Sequence, residues 1–572
     1  MISIYNIFVI LCWCVLVYKP CSGEYGGHDL FTSLAQLEVM WQNEREIVPK
    51  MKTVIDNNPN LTQPIKKYIE EYERLGLDHE PNYDFLGHPL NAYFLVRHVA
   101  MGWGNIRDHF LNIDFNKTTE LAFLKERENE KLVSEYDIDG AAFGLVRLHS
   151  LYRFNLSQFV EHGIISTTLD NGHKVLSRPS VRSISSFDLT KMGTEASANG
   201  LYDSAADMLE MAIQKRKKEI ASNEDLSYLR NYDLDVPMIE TLTQTAKKVH
   251  DHYLDTRGQK SVAHRTHQLP YDKKLRKKKK FKKAFQLDDV ILDRVKLDKY
   301  TEKSNTNSEV MRNLNFISEV QKDELCRGKQ LRSDAEMSQL YCIYAHGGSP
   351  WLRLGPIRME YNSFDPNHVT LRGILFDHEC DDITRFLGPK LDFPPGRMNY
   401  KSKKNDWTMK NCWPIESQHV GLEKLNRRIE HLSGLNADSS KGYSEGFMCG
   451  NYGIGGHYFI HPDFHHYRPT DYLPYNTGNR LATILTVLQA PEAGGATVWP
   501  NAGISVFPEK GSAIWWYNLR PSEKADQFTR HSACPVLLGQ KWIGNKWVGY
   551  NAQWNGRKCV LDKDELFQTP KE

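Results

Sequence analysis

The chain has 572 residues, room for three or four domains at roughly 150 residues each. Its 73 lysines and arginines nearly balance 71 aspartates and glutamates, so no global field favours nucleic acid or a membrane surface. Hydrophobic content of 40% with 27 tyrosines excludes an intrinsically disordered chain and fits a folded, soluble one.

Residues 1–23, "MISIYNIFVILCWCVLVYKPCSG", read as a secretory signal peptide. The apolar run at 2–17 is shorter than the roughly 20 residues of a spanning helix. Ser22 and Gly23 suit cleavage, although the first cation, Lys19, follows the apolar run instead of preceding it. Sequons at Asn60, Asn116 and Asn155 agree with glycosylation in the secretory pathway. With Cys12, Cys14 and Cys21 removed, seven cysteines remain. The short-loop pairs Cys326–Cys342 and Cys534–Cys559 are expected as disulfides, and Cys380, Cys412 and Cys449 as small buried apolar side chains.

In the segment 24–180, Leu30, Leu34, Leu37, Trp41, Val48, Met51 and Ile55 repeat at mostly three- and four-residue spacings, with Glu44 interrupting one seam position. This predicts a coiled-coil-like helix that "NNPN" ends, followed by a second helix with Ile65, Ile69, Tyr72 and Leu75. Spacing leaves open whether the pair is a hairpin within one chain or a dimerisation arm. In 181–256, Leu189, Gly193, Ala205, Leu209 and Ala212 occupy the packing positions of a tetratricopeptide-like unit, with a degenerate helical continuation over 241–253. Such a unit captures extended peptides, and Tyr202 is a candidate contact. The basic run "DKKLRKKKKFKKAF" marks 257–332 as a solvated linker with a helical segment.

From 333 to 560 the texture becomes all-β, with "VTLRGILF", "NRLATILTVL", "GSAIWWYNL" and "KWIGNKWVGY" bounded by Gly, Pro and Asn. The expected fold is therefore α+β and multidomain: an all-α N-terminal half, then a double-stranded β-helix (jelly roll), then a tail at 561–572. The stretch "ESQHVGLEKLNRRIEHLSGL" has helical periodicity and is expected outside the sheets.

"HYFIHPDF" carries the chemistry. Residues two apart on a strand share a face, so His461 and Asp463 point together, but His457 and His465 share that parity. Two His and one carboxylate held facially suit non-haem Fe(II), and "FTRHSACPVL" offers His531 as the third ligand. Lys541 in "LLGQKWIGNKW" is a candidate buried cation for a dicarboxylate. A zinc hydrolase, the rival reading, would leave Lys541 unexplained.

"NYGIGGHYFIHPDF", "GGATVWP", "KGSAIWWYNL" and "TRHSACPVLLGQKWIGNKW" closely resemble the catalytic domain of the collagen prolyl 4-hydroxylase alpha subunit family. "LFTSLAQL" and "FLGHPLNAYFLVRH" resemble its N-terminal dimerisation region, and "LCRG…LYCIY" the stretch before catalysis. The resemblance implies Fe(II) on His461, Asp463 and His531, and 2-oxoglutarate on Lys541 with Tyr452 as a softer contact. It implies 4-hydroxylation of peptidyl proline in X-Pro-Gly repeats with O2, ascorbate rescuing oxidised iron, and the two disulfides above. It also implies a tetramer with two protein disulfide isomerase beta subunits in the endoplasmic reticulum lumen. One departure stands out: family members usually carry histidine eight residues after the lysine, where this chain has Gly549. Slower or uncoupled turnover is expected from it, and a catalytically impaired peptide-binding subunit or a hydroxylase of non-collagen secreted proteins remain alternatives.

Overall fold

The computed structural model describes residues 30–57, 63–110, 133–224, 226, 229, 235–257, 269–277, 309–392, 408–465, 477–553, 555–557, 560–562 and 565. The signal segment, Asn60, Asn116, Cys559 and most of the basic run lie outside these residues. Among the described residues, no helix is long and apolar enough to cross a membrane.

The N-terminal half is helical. Helices α1 (Leu34–Asn57), α2 (Gln63–Arg74) and α3 (Pro89–Phe110) are followed by α4 (Glu135–Tyr152). The apolar stripe of α1 packs within its own chain: Leu37, Trp41, Val48 and Met51 share one core with Ile65, Ile69 and Tyr72 of α2. Of the two arrangements that spacing left open, the stripe thus forms an intrachain hairpin resting on α3. Glu44 does not break the seam. It is buried and accepts hydrogen bonds from the Tyr68 hydroxyl and from Trp103 Nε1, which satisfies a carboxylate placed among apolar neighbours.

Helices α5 (Ser186–Ala198), α6 (Tyr202–Ser222) and α7 (Val236–Arg257) stack in order. A Cβ on Gly193 would lie 2.5 Å from Leu209 Cγ, so the missing side chain is what lets α5 and α6 approach. Tyr202 stacks on Tyr253 of α7, ring centroids 5.5 Å apart. A buried charge network ties this stack to the hairpin. Arg97 on α3 donates to Asp188 at 2.6 Å and to Glu71 at 3.3 Å, and Tyr93 donates to Asp188 at 2.9 Å. Burial opposes ionisation of Asp188, but Arg97 and the Ser185 cap hold its carboxyl below the usual range. Replacing Arg97 by methionine takes the guanidinium from the buried Asp188, while Glu71 keeps Arg182 and Arg74, and a stability loss of about 3–5 kcal/mol is expected in chemical denaturation.

The C-terminal half is sheet-rich. Its strands are β3 (Cys342–Ala345), β4 (Ile357–Phe364), β5 (Asn367–Arg372), β6 (Met409–Cys412), β7 (Met448–Tyr452), β8 (Tyr458–His461) and β9 (Arg480–Gln489). There follow β10 (Ala493–Gly494), β11 (Thr497–Trp499), β12 (Ile504–Val506), β13 (Ala513–Tyr517), β14 (His531–Ala533), β15 (Val536–Leu538) and β16 (Trp542–Gly549). The numbering includes a small hairpin of β1 (Ser166–Thr168) and β2 (Lys174–Leu176). An eight-stranded sheet in the order β3-β4-β5-β13-β9-β16-β7-β6 faces a four-stranded sheet, β12-β11-β14-β8, as in a jelly roll.

Alternation assigns the two faces of the large sheet. On β13, Ile514 and Trp516 enter the core between the sheets, with Val487, Tyr452, Ile543 and Trp499. Ala513, Trp515 and Tyr517 enter the outer core instead, beneath α8 (Asp377–Leu387) and α9 (Val420–Ser433). The helical stretch expected outside the sheets is there.

The disulfide differs from both expected pairs. Cys326 bonds Cys534 across 208 residues, with Cα atoms 5.6 Å apart, so neither Cys326–Cys342 nor Cys534–Cys559 forms. The helix Glu309–Cys326 packs against β11 and β12, which delivers its last residue to the turn after β14. Cys342 sits exposed as a free thiol on the edge strand β3. Sequence separation favours short loops, whereas the packing of that helix decides the pairing. Cys380, Cys412 and Cys449 are buried free thiols of the outer core, as expected for small apolar side chains. Asn155, exposed, caps a short helix by accepting from Gln158 N at 3.0 Å.

Candidate metal and co-substrate site

The pairing of β8 with β14 builds the site. Its antiparallel register sets His461 opposite His531, and Asp463 follows two residues later. One ligand atom from each of His461, Asp463 and His531 lies within 4.8 Å of the other two. His461 Nε2 is 3.8 Å from Asp463 Oδ1, and His531 Nε2 is 3.7 Å from Oδ2.

Neighbouring groups aim these side chains. His461 Nδ1 lies 2.7 Å from the Phe459 carbonyl and His531 Nδ1 lies 3.0 Å from that of Thr529. Each Nδ1 therefore donates to a carbonyl, and each Nε2 lone pair faces the centre. Thr483 on β9 donates to Asp463 Oδ2 at 2.7 Å, Asn518 donates to Thr483 at 2.8 Å, and Trp516 Nε1 donates to Asn518 at 2.8 Å. This relay holds Oδ2 on the side of His531 and leaves Oδ1 facing His461.

Electrostatics agree with a cation site. Burial, with the neighbouring His531, pushes the His461 imidazole down to about 3, so it is a neutral ligand at physiological pH. Burial alone would raise the Asp463 carboxyl, but the two imidazoles hold it below its ordinary value and ionised. Two imidazoles and one carboxylate facing one centre suit Fe(II).

The other histidines of matching parity are elsewhere. His457 Nδ1 lies 3.0 Å from Thr408 Oγ1, and His465 is half-buried with its backbone on Asn479. Neither joins the cluster found among the described residues.

Lys541 lies just before β16, buried, with Nζ donating to the Gly495 carbonyl at 2.6 Å. Its ammonium stands 5.0 Å from the centroid of Tyr452, whose ring belongs to the core between the sheets. Burial pushes the lysine down to about 7, and a carboxylate beside it would favour the charge that burial disfavours.

The sequence reading missed the Thr483–Asn518–Trp516 relay and Arg480. The Arg480 guanidinium lies 3.7 Å from the Trp547 ring centroid and pairs with Glu445 at 2.5 Å. Inward alternation along "NRLATILTVL" was the available signal for Thr483, since Thr483, Leu485 and Val487 share one face.

Gly549 closes off the position where a histidine was expected. A Cβ there would fall 2.5 Å from the Thr477 carbonyl oxygen and 2.6 Å from its Cβ. Gly549→His is therefore expected to lower the melting temperature by several degrees without raising turnover, as thermal melts and succinate assays would register.

Two segments match known families. Residues 447–549 match the 2OG-Fe(II) oxygenase superfamily, so the jelly roll carrying His461, Asp463 and His531 is a 2OG-Fe(II) oxygenase domain. Residues 33–166 match the prolyl 4-hydroxylase alpha-subunit N-terminal region. The chain is homologous to prolyl 4-hydroxylase alpha subunits over nearly its whole length. It is 29% identical to prolyl 4-hydroxylase subunit alpha-2 of Caenorhabditis elegans over 561 residues, 94% of each chain. Against subunit alpha-1 of Gallus gallus it is 29% identical over 94% of this chain and 100% of the relative. Against subunit alpha-1 of Homo sapiens the figures are 28%, 97% and 100%.

Proposed function

We propose that this chain is the catalytic alpha subunit of a procollagen-proline 4-dioxygenase, hydroxylating peptidyl proline in X-Pro-Gly segments with O2 and 2-oxoglutarate. The observation that carries the reading is the cross-strand register of His461 and His531 around Asp463, with Lys541 buried in the same jelly roll. Fe(II), when bound, supplies the O2 chemistry and the oxidative decarboxylation of 2-oxoglutarate to succinate.

The chain's own residues do the rest. His461, Asp463 and His531 would hold the metal, which would supply the site for O2 and the keto acid. Lys541 takes the distal carboxylate of 2-oxoglutarate, with the Tyr452 ring beside it. The aromatic walls Trp499 and Trp516, which pack on His531, keep bulk water from a reactive oxidant. The stacked helices 181–256 capture the proline-rich chain, and Tyr202 is a contact for it. Ascorbate as iron reductant, protein disulfide isomerase as beta subunit, residence in the endoplasmic reticulum lumen and glycosylation at the three sequons complete the proposal.

A second reading, a catalytically impaired peptide-binding subunit, draws on Gly549 alone. Incubation with labelled 2-oxoglutarate, Fe(II), ascorbate and a panel of proline peptides separates them. Succinate stoichiometric with hydroxyproline is expected; peptide binding without succinate overturns the enzyme reading.

A further inference from the structure

The co-substrate pocket is not held by the jelly roll alone. The loop at 453–456 joins Tyr452 to the strand bearing His461, and its backbone lies against the helical half. Ile454 N donates to the Phe31 carbonyl at 3.1 Å, and Arg147 Nη1 of α4 donates to the Gly455 carbonyl at 3.0 Å. A Cβ on Gly453 would stand 2.0 Å from the Phe31 oxygen, and one on Gly455 2.6 Å from the Gly144 oxygen. In the reverse direction, a Cβ on Gly144 would stand 2.5 Å from the Ile454 oxygen. Glycines on both sides thus permit a backbone-to-backbone approach that any other residue would block. Asn451, adjacent to Tyr452, accepts from Ser33 Oγ at 2.8 Å and from Ala35 N at 3.0 Å.

The segments on the other sides of the pocket rest on the same half. Gly539 N, two residues before Lys541, donates to the Gly87 carbonyl at 2.9 Å. A Cβ on Gly87 would lie 2.9 Å from Gly539 Cα. Gly495 accepts the Lys541 ammonium, and a Cβ on the preceding Gly494 would lie 2.8 Å from the Tyr152 hydroxyl oxygen. That hydroxyl donates to the Pro535 carbonyl at 2.5 Å. Three backbone segments bring Tyr452, Gly495 and Lys541 together, and each is braced from outside by a different part of the helical half.

We infer that the helical N-terminal region is a wall of the keto-acid pocket, and that Arg147 is a positioning residue acting on that pocket through the Gly455 carbonyl. The inference rests on Lys541 being the carboxylate-binding cation. The Arg147 guanidinium is buried and 4.9 Å from the Phe143 ring centroid, so it reaches Gly455 from a fixed direction. Loss of this tie lets the loop move, and the Tyr452 ring moves with it relative to Lys541. Assembly and peptide capture are then not the only work of the helical half: it also sets affinity for the co-substrate.

The test measures 2-oxoglutarate binding by calorimetry on the full chain loaded with Mn(II), with no turnover involved. Arg147→Met keeps the apolar stem and removes the donor; Gly144→Ala keeps the helix and drives a methyl group into the loop. Each is expected to raise the dissociation constant about tenfold, the effect of one buried charged hydrogen bond, and Arg147→Lys to recover most of it. A dissociation constant read on the folded fraction does not move for a merely structural role. If both variants fail to fold, Tyr152→Phe, which deletes a single hydroxyl, is measured instead, and a threefold or greater rise is expected. Lys541→Ala runs in parallel. Values within twofold of wild type for Arg147→Met and Gly144→Ala, with binding lost in Lys541→Ala, overturn the wall and leave the keto-acid site standing. Unchanged binding in Lys541→Ala overturns both.

Discussion

Asp463→Ala is expected to reduce succinate formation by at least about 10³-fold, because one metal ligand supplies several kcal/mol of transition-state stabilisation and each 1.36 kcal/mol is a tenfold change in rate. The structure says why no neighbour substitutes for it. The other two members are imidazoles, so Asp463 is the sole carboxylate of the cluster found among the described residues. Asp463→Asn keeps the shape and the Thr483 contact but loses the charge, and it should fall nearly as far. Thr483→Val leaves the ligand set intact and frees the carboxylate to rotate; a 10- to 100-fold loss of metal affinity is expected from removing such a support. Metal titration followed by Mn(II) resonance distinguishes the three. Melting temperatures should scarcely fall in Asp463→Ala, since a buried carboxylate without its ion is no asset to stability. Full activity in Asp463→Ala would dismiss the oxygenase assignment for these residues.

What could be read from the sequence follows how local the determining physics is. The run "GSAIWWYNL" reads correctly as a strand, and on any strand neighbours two apart share a face. The same rule left His457, His461 and His465 equivalent. Only the register of β8 against β14, a contact between segments seventy residues apart, puts His461 opposite His531. Cys326 illustrates the same limit: loop length pointed to Cys342, while the packing of the preceding helix took it to Cys534. Arg97, Asp188 and Glu71 come from three helices, and no periodicity links them. Glu44 read as a flaw in an apolar stripe because its partners, Tyr68 and Trp103, lie on other helices. Composition and spacing thus carry elements and faces; pairings across the chain need the fold.

Lys541→Ala is expected to raise the 2-oxoglutarate requirement by about 10²-fold or more, since truncating one partner of a buried charge pair costs about 2–5 kcal/mol. The magnitude reflects the setting of the ammonium, which among the described residues has the Gly495 carbonyl as acceptor, the Tyr452 ring beside it and no carboxylate partner. Its depressed value of about 7 gives the prediction a pH signature. The keto acid binds the charged amine, so above pH 7 binding must take up a proton, and the dissociation constant should rise about tenfold per pH unit. Calorimetry in buffers of different ionisation enthalpy reads that proton directly, and Lys541→Ala should lose it. Stability carries the opposite face of the same shift. In the unfolded chain the amine titrates near its ordinary value of about 10.4, so between about 7 and 10.4 the unfolded state binds more protons and stability rises with pH. Burial of the amine therefore penalises the fold most at neutral pH and below. Lys541→Met should remove that slope and melt higher than wild type at pH 7 while binding 2-oxoglutarate poorly. A variant that melts lower and keeps its co-substrate affinity would mean the lysine serves packing, and the pocket would have to be sought elsewhere in the jelly roll.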